Sequence, residues 1–159
     1  MYSYDVGAYT SVSLRPSQEE AAMPQTLSPG FKKLLRDPAF CQLATLMPDG
    51  SPQNTQVWVE TDGEYILVVT AEGRQKVKNV RRDPRVALNV VDPTNAFRIA
   101  SVRGQVVDVT TEGADQLIDE LAKKYLGEET YPYRQPGEVR LTIKIAPEKI
   151  KEVGLEELA

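Results

Sequence analysis

Residues 40–70, with the sequence FCQLATLMPDGSPQNTQVWVETDGEYILVVT, decide the class of fold. Three runs that contain many apolar residues are separated by two turn signals, Pro48-Asp49-Gly50 and Asp62-Gly63. Turn residues of this kind join adjacent strands of an antiparallel sheet. We therefore predict an antiparallel meander whose strands occupy residues 40–47, 53–60 and 65–70.

Three further strands are predicted after the meander. Residues 85–91 are rich in valine, and residues 97–109 form a longer run in which Gly104 is a candidate β-bulge. The last predicted strand covers residues 139–145 and is closed by Pro147. Six strands are therefore expected, most of them antiparallel.

Three helices are predicted around these strands. Ser28-Pro29 is typical of a helix start. A second helix at residues 75–82 ends before Asp83-Pro84, because the residue before a proline is driven out of helical space. Apolar residues recur with a helical period from residue 114 to 125, and Gly127 ends that helix. This order lacks the regular alternation of a parallel β-α-β sheet, so we predict a mostly-β fold, a small β-barrel with peripheral helices.

The chain of 159 residues has the length of one domain. Residues 1–27 show no clear period and are predicted to form an N-terminal arm or loose tail. Residues 28–150 are assigned to the barrel domain and residues 151–159 to a C-terminal tail. No apolar run approaches the ~18 residues that a membrane helix needs, no signal peptide is recognised, and Cys41 is the one cysteine. These features favour a cytoplasmic protein without a membrane span.

The composition excludes several classes of chemistry. The chain contains no histidine, which excludes Ser-His-Asp and Cys-His hydrolase sites and, with one cysteine, ordinary zinc sites. We predict no metal site. The net charge of −4 disfavours general binding of nucleic acid by a basic surface. Catalysis would then depend on a bound cofactor, a carboxylate, a tyrosine, a lysine or water.

Residues 70–79, with the sequence TAEGRQKVKN, carry the clearest functional signal. A predicted strand ends, a glycine turns the chain and a helix begins, and free N–H groups at a helix start attract anions. Arg74 and Lys76 add positive charge there and Thr70 adds a hydroxyl, which suits a phosphate monoester. The same bases are also compatible with a solvated basic face or with contact to DNA. The bases concerned are Arg74, Lys76, Lys78, Arg81, Arg82 and Arg85.

The order and spacing of several short motifs resemble the pyridoxamine-5′-phosphate-oxidase-like superfamily of flavin-reductase-type split β-barrels, and more closely its branch that uses the deazaflavin coenzyme F420. The resemblance covers about residues 30–150. It rests on motifs that include Leu43-Ala44-Thr45, Arg74-Gln75-Lys76, Asn79-Val80-Arg81-Arg82-Asp83-Pro84-Arg85, Val102-Arg103-Gly104 and Pro136-Gly137-Glu138-Val139-Arg140.

The resemblance implies a homodimer with two equivalent cofactor sites between the subunits. Arg74 and Lys76 would bind the cofactor phosphate, with Thr70 nearby. Surplus bases such as Lys78, Arg81 and Arg98 would either receive the anionic glutamate tail of F420 or form surface ion pairs. Trp58 is either a packing residue or a cofactor contact. The isoalloxazine-type ring would be lined by Gln53, Thr55, Gln56 and Val57.

The resemblance implies coenzyme F420 as the cofactor. FMN is the alternative, because the two share the ring, ribityl and phosphate layout and the phosphate-binding residues do not separate them. The implied function is an oxidoreductase that transfers hydride from reduced F420 to an electron-poor small molecule, such as an enone, a quinone or a tetrapyrrole. A non-catalytic flavin carrier is the alternative of a different class. A true pyridoxamine-phosphate oxidase is disfavoured, because residues 139–159 lack the expected arginine-and-histidine substrate motif. No catalytic residue is assigned: Tyr131 and Tyr133 lie in a predicted loop, where packing or surface roles are more frequent.

Overall fold

The computed structural model describes residues 24–158, in which seven strands form one curled antiparallel sheet with three α-helices outside it. Most of the arm predicted at residues 1–27 lies outside the described residues. The mostly-β fold predicted from the sequence is confirmed. The strands are β1 (Phe40–Leu46), β2 (Pro52–Val57), β3 (Val59–Thr61), β4 (Ile66–Ala71), β5 (Arg85–Asp92), β6 (Asn95–Thr110) and β7 (Arg140–Val153).

The strand order explains why the sheet curls into a split barrel. The order is β2-β1-β5-β6-β7-β4-β3, with antiparallel pairing at every step. β2 and β3 lie at opposite ends of this order, although only Trp58 separates them along the chain. A single residue spans only a few ångströms, so the two ends of the sheet must approach each other at Trp58. We call this junction of β2, Trp58 and β3 the seam.

The three helices have the bounds α1 (Pro29–Arg36), α2 (Gln75–Arg82) and α3 (Ala114–Leu126). The predicted helix start is confirmed, since the Ser28 hydroxyl accepts a hydrogen bond from the Phe31 N–H at 3.1 Å. The predicted end of α3 is also confirmed, because Gly127 follows it with a φ of 72°, a left-handed conformation that favours glycine. Within the described residues, no helix is both long and apolar enough to cross a membrane.

Two predicted strand boundaries are wrong. The strand expected at residues 53–60 is interrupted at Trp58, where the chain passes from one end of the sheet to the other, which raises the strand number to seven. The last strand does not close at Pro147 but continues to Val153. Pro147 pairs with Gly104 at a register shift of the β6–β7 ladder, and an irregular position of this kind tolerates a residue without an N–H. The shift confirms the bulge predicted at Gly104.

The C-terminal residues pack against the domain. The boundary predicted at residue 150 falls inside β7, and Leu155, beyond the strand, is fully buried. The backbone of Leu155 passes so close to Gly30 of α1 that a β-carbon there would lie 2.0 Å from the Leu155 carbonyl oxygen. Glycine at position 30 therefore lets the C-terminal segment seal one side of the core.

Candidate functional site

A groove of about 270 Å³ opens beside the seam, between the end of β4, the start of α2 and the loop that follows α3. Five residues that the sequence predicted to bind a cofactor line it, namely Gln56, Val57, Thr70, Arg74 and Lys76. Residues from β2, β4 and α2 are therefore brought together by the curl of the sheet. The groove also contains Trp58, Tyr131, Tyr133 and Arg140.

The start of α2 forms one end of the groove. Gly73 turns the chain with a φ of 87°, and Arg74 then occupies the cap position with an extended backbone. No described side chain caps the first turn of α2, so backbone N–H groups there are open to an anion. Asn79 holds the helix in place, because its buried amide donates to the Thr45 hydroxyl of β1 at 3.0 Å.

Two cations lie together at this end without a strong counter-ion. Burial and the neighbouring charge of Arg74 lower the pKa of Lys76 below its ordinary value. Lys76 has no carboxylate partner among residues 24–158, and the Arg74 guanidinium, with 65% of its side chain exposed, reaches Glu138 only at 4.0 Å. A bound anion would relieve the repulsion between these two side chains.

Arg140 is a third cation in the groove, and the sequence reasoning did not assign it to the site. It begins β7 directly opposite Ala71 of β4, one residue after Thr70. Its guanidinium is 7% exposed and donates through Nη2 to the Glu138 carboxylate at 2.7 Å. The buried Nε has no hydrogen-bond partner in the described part of the chain. Buried arginine donors are costly to leave unpaired, so Arg140 is equipped to bind a further acceptor.

Aromatic side chains form one wall of the groove. Trp58 meets Tyr131 edge to face at a ring-centroid distance of 5.9 Å, and Tyr131 meets Tyr133 in the same way at 5.7 Å. The Arg140 guanidinium lies 5.0 Å from the centre of the Tyr131 ring. This wall offers flat apolar surface for a ring system next to the cationic end.

The loop that carries Tyr131 and Tyr133 is tied to α3. The Tyr131 N–H donates to the Asp119 carboxylate at 2.8 Å, and Arg134 donates to the same carboxylate at 2.7 Å. Arg134 also contacts Asp115 at 2.9 Å. The hydrogen bond from the Tyr131 N–H, and then the hydrogen bond and charge of Arg134, hold the pKa of Asp119 below its ordinary range. The aromatic wall is thus positioned by side chains on a regular helix.

Comparison with known proteins identifies the family. Residues 27–154 match the pyridoxamine 5′-phosphate oxidase family over most of the chain. The chain belongs to this family. The resemblance predicted from the sequence is therefore confirmed, and the split barrel is the fold that the matching structures share.

The solved structures that resemble this chain carry names that state different functions. A structure named F420 reductase is 31% identical to this chain, with a TM-score of 0.68 over 79% of this chain and 98% of the other. A conserved hypothetical protein from Mycobacterium tuberculosis is 23% identical, with a TM-score of 0.64 over 86% and 90%. The haem-storage protein HutZ from Vibrio cholerae is 16% identical, with a TM-score of 0.56 over 82% and 96%. The last two similarities concern the fold alone.

Three residues that the sequence predicted to bind the cofactor lie outside the groove. Gln53 and Thr55 are in β2 but do not line the groove. Lys78 is exposed on α2, and at 100° per residue it projects about 200° around the helix from Lys76. Of the other surplus bases, Arg81 pairs with Glu72 at 2.5 Å, and Arg98 pairs with Asp92 at 3.4 Å and with Glu157 at 3.3 Å.

The signals that would have added Arg140 and Tyr131 to the site were present but ambiguous. Both belong to the motif-rich stretch after α3, which carried part of the resemblance. Tyr131 is placed by its hydrogen bond to Asp119 of α3, and Arg140 is placed by the pairing of β4 with β7, which joins residues about seventy positions apart in the chain. A local pattern does not reveal a pairing of that range.

Proposed function

We propose that this protein is an oxidoreductase that binds reduced coenzyme F420 and transfers a hydride from it to an electron-poor small organic molecule. The observation that carries the proposal is the groove itself, whose lining combines the cations Arg74 and Lys76 with an aromatic wall. The similarity to a structure named F420 reductase, at 31% identity, favours the deazaflavin over FMN.

The residues present fit a cofactor with a phosphate and a flat ring. Arg74, Lys76 and the open N–H groups of α2 are suitable donors to a phosphate, and the Thr70 hydroxyl is adjacent. The unpaired donor of Arg140 supplies a further hydrogen bond to an anionic or carbonyl oxygen. Gln56 and Val57 on β2 and Trp58 at the seam lie where a ring would extend from the phosphate end.

A bound deazaflavin supplies the hydride chemistry, and the protein's own residues supply position and environment. The cations at the start of α2 would bind the phosphate of the ligand. The residues of the seam would then orient its ring. Trp58 and Tyr131, which contact each other edge to face, would exclude water from one side of a bound ring. The chain contains no histidine, so protonation of a product must come from another side chain or from solvent.

The proposal includes a homodimer, in the cytoplasm, with a second subunit completing each site. Gln53, Thr55 and Lys78 lie outside the groove of one subunit, and a site shared between two copies would give such residues a role. Phe40 and Phe97 are 53% and 82% exposed, which is unusual for large apolar side chains and supports a covered surface. Sedimentation should give a dimer at micromolar concentration, and a stable monomer would contradict this part of the proposal.

Binding can be measured through Trp58, because it is the one tryptophan of the chain and lines the groove. We expect F420 and FMN to change its fluorescence on titration, with F420 binding more tightly. Oxidation of reduced F420 is then followed by absorbance with enone and quinone acceptors. Turnover supports the reductase, tight binding without turnover to any acceptor indicates a carrier, and much tighter binding of FMN would overturn the cofactor assignment.

The salt dependence of binding separates the two cofactors further. The glutamate tail of F420 is anionic, and its contacts with exposed bases would be screened, with a Debye length of about 8 Å at physiological salt. The affinity for F420 should then fall more steeply with salt than the affinity for FMN, which has no tail. Equal slopes would show that surplus bases such as Lys78 do not receive the tail.

A further inference from the structure

The Glu138 carboxylate lies between two of the three cations of the groove. Its Oε2 accepts from Arg140 Nη2 at 2.7 Å and from the Gln135 N–H at 3.4 Å. Its Oε1 lies 4.0 Å from Arg74 Nη2. One carboxylate thus neutralises both arginines in part, and its side chain is 17% exposed.

The two contacts differ in strength. The bond with Arg140 is short and largely buried, so it is costly to break. The contact with Arg74 is at the limit of an ion pair, and the Arg74 side chain is 65% exposed, so this pair contributes little. Arg74 is therefore free to leave Glu138 for a better acceptor, whereas Arg140 is not.

The charges of the groove leave room for a doubly charged anion. Arg74, Lys76 and Arg140 supply three positive charges and Glu138 supplies one negative charge. The remaining two positive charges match a phosphate monoester such as that of FMN, which carries about −1.5 to −2 at neutral pH, whereas the phosphate of F420 is also esterified to the tail and carries a single negative charge. A ligand phosphate would meet the same arginines that Glu138 holds.

We propose that Glu138 is an internal anion that competes with the ligand phosphate for Arg74 while it keeps Arg140 in position. Binding is then an exchange in which Arg74 leaves Glu138 and turns to the phosphate. The negative charge of Glu138 lowers phosphate affinity, which keeps the cofactor exchangeable. This inference rests on the proposed function, because it assumes that a phosphate-bearing cofactor occupies the groove.

The test replaces Glu138 by glutamine, which keeps an oxygen for Arg140 and removes the charge. In Trp58 fluorescence titrations, Glu138→Gln should bind FMN and F420 about fivefold more tightly, the upper end of the range for a solvent-screened ion pair. Riboflavin, which lacks the phosphate, should bind wild type and variant equally. The gain for FMN should shrink at high salt.

Glu64→Gln is the matched control. It makes the same change of charge at an exposed residue before β4, whereas the groove lies at the other end of that strand. Its affinity for FMN should equal that of wild type. Unchanged or weaker FMN binding by a folded Glu138→Gln variant would overturn the inference, since Glu138 would then only support Arg140.

Two further results keep the outcomes distinct. If wild type binds neither FMN nor F420, the proposed function fails rather than this inference alone. If Glu138→Gln does not fold, as judged by thermal unfolding, Glu138→Asp replaces it. That variant withdraws the carboxylate from Arg74 by one methylene group, so FMN should bind more tightly than to wild type, and equal affinity would contradict the competition.

Discussion

Trp58 stacks on Tyr125 with ring centroids 5.2 Å apart and ring planes 3° from parallel. Trp58 is the seam residue between β2 and β3, and Tyr125 lies in the last turn of α3. The Tyr125 hydroxyl also donates to the Ala39 carbonyl at 2.8 Å and accepts from the Val59 N–H at 3.3 Å. Helix α3 therefore fastens the two ends of the sheet while it also carries the loop of the aromatic wall.

Replacing Tyr125 by phenylalanine should weaken this fastening without removing the stack. The Ala39 carbonyl and the Val59 N–H would each lose a hydrogen bond, which costs roughly 1–3 kcal/mol of unfolding free energy in total. Urea denaturation measures the change. Tyr133→Phe is the control, because Tyr133 is 62% exposed and should change stability by less than about 0.5 kcal/mol. Equal stability of the two variants would contradict the assigned role.

Lys124 also attaches α3 to the rest of the domain, and its loss should lower the free energy of unfolding by more than the loss of the Tyr125 hydroxyl. Its ammonium group is largely buried and donates to the carbonyls of Leu35 at 2.9 Å and Val59 at 2.6 Å and to the Glu60 carboxylate at 3.1 Å. Lys124→Met should cost roughly 3 kcal/mol, because it leaves the Glu60 charge without its partner. Lys123→Met is matched in type but exposed, and should cost less than about 1 kcal/mol. Thermal or urea unfolding decides between them.

Replacing Arg74 or Lys76 by alanine should weaken binding of the phosphate-bearing cofactor. Each lost charged hydrogen bond contributes roughly 1.5–3 kcal/mol, which is about tenfold or more in affinity. Lys78→Ala removes the same charge from the same helix but from outside the groove, so the affinity for FMN, which has no tail to meet Lys78, should change little. Trp58 fluorescence titration measures all three. If the Lys78 variant loses as much affinity as the Lys76 variant, the ligand is attracted by the basic surface of α2 in general and not by the groove.

The affinity for phosphate should depend on pH through Lys76. Burial first, and the charge of Arg74 second, lower its pKa from the ordinary 10.5, so it loses its proton at a lower pH than a free lysine. Only the protonated form attracts phosphate, so affinity should fall as the pH rises through this lowered pKa. Lys76→Arg should abolish this part of the dependence, because arginine stays charged. The measurement is FMN titration at a series of pH values from neutral upward, with wild type and variant compared at each pH. Parallel profiles for both proteins would contradict it.

Local signals in the sequence were sufficient for the elements that frame the site. The turn at Gly73 and the stop at Asp83-Pro84 predicted α2 with the bounds that the structure has. The same signals placed Arg74 and Lys76 at the start of this helix. The sequence left the role of Trp58 open between packing residue and cofactor contact. Both roles depend on the seam, which forms only when the sheet closes, and on the packing of α3 against it. Arg140 was missed for a similar reason, since its pairing with Ala71 is a long-range register.

The central place of β7 has a consequence for synthesis on the ribosome. β7 is the last strand to be made, yet it joins β6 to β4, so the sheet consists of two separate parts until residues 140–153 have emerged. The nascent chain would expose the edges of β6 and β4, which are sites of mispairing. The complete sheet then forms only late, when β7 inserts between β6 and β4. Any change that slows this insertion lengthens the time during which chaperones must protect the chain.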